Sequence, residues 1–158
     1  MFTLSKDAEA FVKTELTRYE TTHSAIIPAL FRVQKELGWV PPEAVPALSK
    51  LMGLPESHIN EVLYFYTMFN KTPVGKLHVQ VCTNISCSMN GGRELADALC
   101  KHYGVKDGEM SANGKVTVTR VECLGSCGTA PMLQVNDCYL ENLTPETAVK
   151  KLKEMGAE

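Results

Sequence analysis

The sequence predicts an α+β chain: a bundle of short helices followed by a small α/β sheet domain. Three observations carry this. From the start to about Tyr66 the apolar residues recur at helical spacing. After Lys71-Thr72-Pro73-Val74-Gly75 the apolar period shortens to two, the period of a strand. Two cysteine pairs then fall where these strands should end.

In the helical half, Ala8, Phe11, Val12 and Leu16 lie on one face of a first helix, capped by Ser5 or Asp7. Ile26, Ile27, Leu30, Phe31, Val33 and Leu37 form the apolar face of a second helix, with Gly38 to end it and Pro41-Pro42 to prevent continuation. Pro42 opens a short third helix through Ala44, Val45, Leu48 and Leu51, closed at Gly53. Pro55 stands near the start of a fourth, which carries Ile59, Val62, Leu63 and Phe65. Short connections between such helices give a compact bundle. The run Tyr64–Phe69 is the densest aromatic cluster in the chain. It either packs the bundle or, with Trp39 and Met52, meets a protein partner, since aromatic residues and Met are enriched in interface cores. The domain boundary is placed in the Lys71–Gly75 linker, giving units 1–71 and 72–158.

In the second half, Leu77, Val79 and Val81 alternate with His78 and Gln80 in a strand that delivers Cys82 at its end. Arg93–Tyr103 reads as a helix with Leu95, Leu99 and Tyr103 in one row. Lys115–Glu122 reads as a second strand leading into Cys123. Pro131–Val135 begins a third strand, and the Asn136-Asp137 turn folds Tyr139-Leu140 back on it. Thr144-Pro145 is an N-cap with proline at N1, and the last helix continues through Val149, Leu152 and Met155. This order of elements resembles thioredoxin folds, and both cysteine pairs sit at or just after the C-terminal ends of strands, where ligands bind in such sheets.

The chemistry lies in those pairs. Cys82-Thr-Asn-Ile-Ser-Cys87 is C-x4-C, and Cys123-Leu-Gly-Ser-Cys127 is C-x3-C, with 35 residues between them. Neither is the C-x2-C knuckle of zinc ribbons, and the plant-type ferredoxin run does not match either. Wide pairs on separate loops suit a binuclear [2Fe–2S] cluster, whose two irons each take two thiolates; zinc or disulfides remain the alternatives. Gly91-Gly92 and Gly125 with Gly128 let backbone N–H groups come close to sulfur, and a helix N-terminus near Cys87 adds a favourable dipole. Cys100 and Cys138 belong to neither pair: Cys100, one position past Leu99, reads as a small buried hydrophobe, and Cys138, after the Asn136-Asp137 turn, as a bystander thiol. His23, His58, His78 and His102 show no paired ligand spacing.

Composition narrows the partners. The 158 residues carry a formal charge of −2, with 44% apolar and 22% charged residues, which gives no electrostatic reason to expect nucleic acid or an anionic membrane. No run of about 18 apolar residues is present to span a bilayer, and the opening MFTLSKDAEAFVKTEL lacks the apolar stretch of a signal peptide. Six cysteines without such a signal point to a reducing compartment, where metal ligation outweighs disulfides. No phosphate-binding glycine loop, Ser/His/Asp set or HExxH occurs.

The segments VCTNISC (Val81–Cys87) and ECLGSCGTAPM (Glu122–Met132), with VLYFYTMFNKTPVGK before them and QVND and ENLTPE after, resemble the thioredoxin-like [2Fe–2S] ferredoxin subunit of respiratory NADH:quinone oxidoreductase, complex I. The resemblance covers nearly the whole chain. It implies that Cys82, Cys87, Cys123 and Cys127 are the cluster ligands, with no ligand role for Cys100 or Cys138. It implies an electron-transfer subunit, without a complete active site of its own, beside a flavin- and NADH-binding subunit that holds FMN and an iron–sulfur cluster. That assembly is the peripheral arm on the cytoplasmic side of the inner membrane, or the matrix side in a mitochondrion. Related subunits serve the diaphorase modules of NAD-linked hydrogenases and formate dehydrogenases. A reading from another class is a structural zinc module acting in protein interaction.

Overall fold

The computed structural model describes residues 2–158. The chain divides into two compact units, Met1–Pro73 and Val74–Glu158.

The first unit is helical throughout: α1 (Lys6–Leu16), α2 (Ile26–Leu37) after a 3-10 turn at Thr22–Ala25, α3 (Ala44–Met52) and α4 (Glu56–Phe65). Ser5 caps α1, its hydroxyl accepting from the Ala8 amide at 2.9 Å. Helix α1 packs on α2 and α3, and α4 packs on both α2 and α3. Between them Val12, Ile26, Leu30, Val33, Leu48 and Ile59 are buried, each worth about 1.5–3 kcal/mol relative to exposure. The chain leaving α4 is tied back to α2: the Asn70 amide donates to the Gln34 side-chain carbonyl at 2.6 Å, and the Gln34 amide donates to the Met68 carbonyl at 3.0 Å.

Several side chains sit otherwise than the sequence reading placed them. Phe65, expected on the buried face of α4, is 77% exposed: at about 100° per residue it lies roughly 120° round the helix from Ile59, whereas Val62, Leu63 and Tyr66 lie within about 60° and pack on the core. Phe31 and Leu37 of α2 also face outward, whereas Met52 is buried and belongs to the core. Of the aromatic run, Phe69 is buried with its ring 5.0 Å from that of Phe31, while Tyr64, Phe65 and Met68 are exposed. Pro55 stands immediately before α4.

The second unit contains a four-stranded sheet of order β2-β1-β3-β4, from β1 (Leu77–Cys82), β2 (Val116–Val121), β3 (Leu133–Val135) and β4 (Cys138–Leu140). Strands β1 and β2 are parallel, with Leu77 opposite Val116 and Cys82 opposite Val121; β3 and β4 run antiparallel to their neighbours. Helices α5 (Ile85–Met89) and α6 (Gly92–Tyr103) follow β1, and α7 (Pro145–Glu154) closes the chain behind a Thr144–Thr147 capping box. Helix α6 packs on β1, β2 and α7. Val79, Val81, Val116, Val118, Leu133 and Val135 from the sheet meet Leu95 and Leu99 of α6 and Ala148 and Leu152 of α7 in one core. Met155, expected on the buried face of α7, is exposed; Ala148 occupies that face. Among the described residues, no helix is long and apolar enough to cross a membrane.

His78 in β1 has its ring Nε2 3.0 Å from the Thr119 hydroxyl, and burial lowers its pKa below the ordinary imidazole value. The unfolded chain therefore binds a proton at this site that the folded chain resists. Stability is expected to rise with pH from about 5 to about 7 and to level off above the unfolded pKa. Denaturant unfolding followed across that range checks this, and in His78→Gln the slope should flatten. An unchanged slope would assign the effect to other groups.

Candidate metal centre

The parallel pairing of β1 with β2 is what brings the two cysteine pairs to one end of the sheet. Cys82 is the last residue of β1 and lies opposite Val121, the last residue of β2, so Cys123 follows two positions beyond its neighbour strand's end. The two loops are stitched together there. The Thr83 amide donates to the Val121 carbonyl at 2.9 Å, and the Thr83 hydroxyl to the same oxygen at 3.1 Å. The Cys82 thiol points at the Glu122 carbonyl at 3.7 Å, and the Ser86 hydroxyl donates to the Cys127 carbonyl at 3.3 Å.

Cys87 does not lie on an open loop, as its spacing implied. It sits within α5, a helix of five residues too short for periodicity to reveal, which Asn84 caps through a 2.7 Å bond to the Ile85 amide. That Asn is the local signal that could have found it. Cys82 and Cys87 are both buried and pack with Met132, with Leu124 and Ala130 beside them. Helix α6 begins hard against them. An added Cβ on Gly92 would stand 2.7 Å from the Cys82 carbonyl oxygen and 2.8 Å from that of Cys87, so only glycine lets the helix start so close. On the second loop Gly125 has φ +77, a left-handed turn between Cys123 and Cys127. Cys123 and Cys127 themselves are exposed. Cys100 is half-buried against the α6 core, and Cys138 is exposed at the start of β4.

The donors suit a metal centre in kind and in number. Burial pushes the Cys87 thiol up to about 11, and the neighbouring Cys82 and the charge of Cys127 push it the same way, against a backbone hydrogen bond from Met132. With its pKa raised in this way the Cys87 thiol stays protonated at neutral pH, and a bound metal would displace that proton. Among the described residues, no three His, Cys, Asp or Glu side chains converge on a single point as the shell of one metal ion. A binuclear cluster would ask for two thiolates on each of two irons, and each loop carries two cysteines.

Sequence reasoning overlooked the supports of the second loop. The Tyr139 hydroxyl donates to the Leu124 carbonyl at 2.7 Å. Glu141 accepts from the hydroxyls of Ser126 and Thr129, and these bonds, that from Ser126 first, hold its carboxyl below the usual range. Nothing in the local sequence marks these contacts, which join residues 12 to 15 positions apart.

A parallel strand pair ending in two thiol pairs, neither of them C-x-x-C, offers donors of the kind a metal-dependent electron carrier uses and lacks the motif of a thiol-exchange enzyme. A family model described as thioredoxin-like [2Fe-2S] ferredoxin matches residues 12–156, and the chain belongs to that family. It is 40% identical over 141 residues to NADH-quinone oxidoreductase subunit 2 of Thermus thermophilus, covering 87% of this chain and 78% of the relative. It is 41% identical over 128 residues to an NADH-quinone oxidoreductase subunit of Rickettsia bellii, covering 80% and 77%. Among solved structures, an NAD+-reducing [NiFe]-hydrogenase in the air-oxidised state superposes with a TM-score of 0.70 at 21% identity, over 83% of this chain and 23% of that one, a likeness of fold.

Proposed function

We propose that this chain is the [2Fe–2S] electron-transfer subunit of an NADH-quinone oxidoreductase, with Cys82, Cys87, Cys123 and Cys127 as the cluster ligands. The observation that supports the ligand assignment is the parallel β1–β2 pairing, which ends with Cys82 opposite Val121, two residues before Cys123, so that both cysteine-bearing loops leave the same end of the sheet. The identity to NADH-quinone oxidoreductase subunits over most of both chains supports the assembly. When bound, such a cluster accepts and returns one electron. The chain's own contribution is to exclude water on the Cys82–Cys87 side, through Met132 and Leu124, and to leave the Cys123–Cys127 side open to an electron-transfer partner.

That partner is a flavin- and NADH-binding subunit, which holds the FMN, and the complex works at the cytoplasmic face of the inner membrane. Residues 72–158 carry the cluster and residues 1–71 serve docking. The exposed Tyr64, Phe65 and Met68 support that second role, being residue types enriched in interface cores.

Protein purified anaerobically is expected to be brown and to contain about two irons and two acid-labile sulfides per chain. Metal and sulfide analysis with a visible spectrum checks this. A colourless protein with stoichiometric zinc would overturn the reading and leave a structural zinc module in its place.

A further inference from the structure

The two cysteine pairs are held in unequal ways. Cys82 and Cys87 are buried within the body of the sheet unit, whereas Cys123 and Cys127 are exposed on a loop whose only regular structure is the 3-10 turn Cys127–Thr129. The first loop offers this second loop two long contacts, 3.7 Å from Cys82 and 3.3 Å from Ser86. Its shorter fastenings come from the segment Tyr139–Leu143. Tyr139 donates to the Leu124 carbonyl, the Asn142 amide to the Thr129 carbonyl at 2.9 Å, and the Leu143 amide to the Pro131 carbonyl at 3.0 Å. Between them stands Glu141. One of its oxygens accepts from both Ser126, inside the cysteine pair, and Thr129, just after it; the two hydroxyls also lie 2.7 Å from each other.

We propose that Glu141 is a positioning residue for the cluster: it clasps Ser126 and Thr129 so that the Cys123–Cys127 loop keeps its ligating shape, and its charge tunes the reduction potential. The proposal rests on reading the four cysteines as ligands. Two hydroxyls sharing one carboxylate oxygen form a charge-assisted clasp, stronger than hydroxyl pairs alone. It acts on the half of the site that burial does not hold. Partners of this kind, one step removed from the ligands, commonly change metal retention when removed. A negative charge near the site opposes the extra electron of the reduced cluster, so it lowers the potential.

The test uses the full chain in three forms, wild type, Glu141→Gln and Glu141→Ala, each loaded with iron and sulfide. The readouts are the rate of iron loss to a chelator, the midpoint potential, and the melting of the cluster-free chain. Glu141→Ala should lose iron about tenfold faster. Glu141→Gln keeps an oxygen acceptor for both hydroxyls and should lose iron at nearly the wild-type rate. Both variants should show a raised potential, since both lack the charge, and cluster-free melting should be unchanged. A loaded Glu141→Ala with wild-type iron loss, or unchanged potentials in both variants, overturns the proposal. If Glu141→Ala does not fold, the Glu141→Gln potential decides alone. A wild-type chain that takes up no iron or sulfide overturns the ligand reading itself, and the proposal with it.

Discussion

Cys123→Ala is expected to empty the site, while Cys100→Ala and Cys138→Ala keep it filled. Each iron of a binuclear cluster relies on two thiolates, so removing one leaves an iron without its partner. Iron content should fall from about two per chain to near zero, with loss of visible absorbance. Cys123 is the informative position because it is exposed. Its truncation should cost the cluster-free fold no more than about 0.5 kcal/mol, the usual range for a surface substitution. Cys82 and Cys87 are buried with Met132, so alanine there would also open a cavity and confuse the two effects. Cys100 packs partly against the α6 core and Cys138 opens β4, away from either pair in sequence. The measurement is iron and sulfide content beside thermal melting of the cluster-free variants. Loss of the cluster in Cys138→Ala with retention in Cys123→Ala would reverse the assignment.

Gly92→Ala is expected to destabilise the sheet unit and to weaken cluster retention together. Helix propensity alone predicts the opposite sign, since alanine is favoured over glycine by up to about 1 kcal/mol. The packing decides. The new methyl would stand 2.7 Å from the Cys82 carbonyl oxygen, 2.8 Å from the Cys87 oxygen and 2.9 Å from the Cys87 carbonyl carbon, all backbone atoms. No flexible side chain is there to yield, so the start of α6 or the ligand loop must move. Overpacking of this kind costs about 1–3 kcal/mol, larger than the propensity gain. Gly91→Ala, one residue earlier, is the control. It meets no atom within 4 Å and bears only the strain of φ +90, so it should lose stability without disturbing the ligand backbone. Thermal melting and iron retention of both variants would check this. A Gly92→Ala protein at least as stable as wild type would show that the loop relaxes freely.

Local signals in the sequence determined most of the elements and the kind of chemistry. Ser5 at the start of α1 and Thr144-Pro145 at the start of α7 mark helix ends because a side-chain oxygen there satisfies an amide that the helix leaves open. The alternation Leu77, Val79, Val81 marks β1 because every second side chain must enter one core, and it ends on Cys82. Four cysteines in two wide pairs pointed to a metal without any geometry.

What the local pattern left open depends on partners far along the chain. The order β2-β1-β3-β4 and the Cys82–Val121 register send both cysteine-bearing loops from one end of the sheet, and parallel pairing leaves no turn motif between the strands to announce it. Leu37 continues the apolar period of α2 yet is exposed, since it is the helix's last residue and exposure is decided by where the bundle core ends and not by period. The near contact of Gly92 with the ligand backbone and the hold of Glu141 on Ser126 and Thr129 are tertiary facts of the same kind. A hydrogen bond or a close approach between residues of separate elements leaves no periodic trace in the sequence. It exists only once the sheet and its loops are folded.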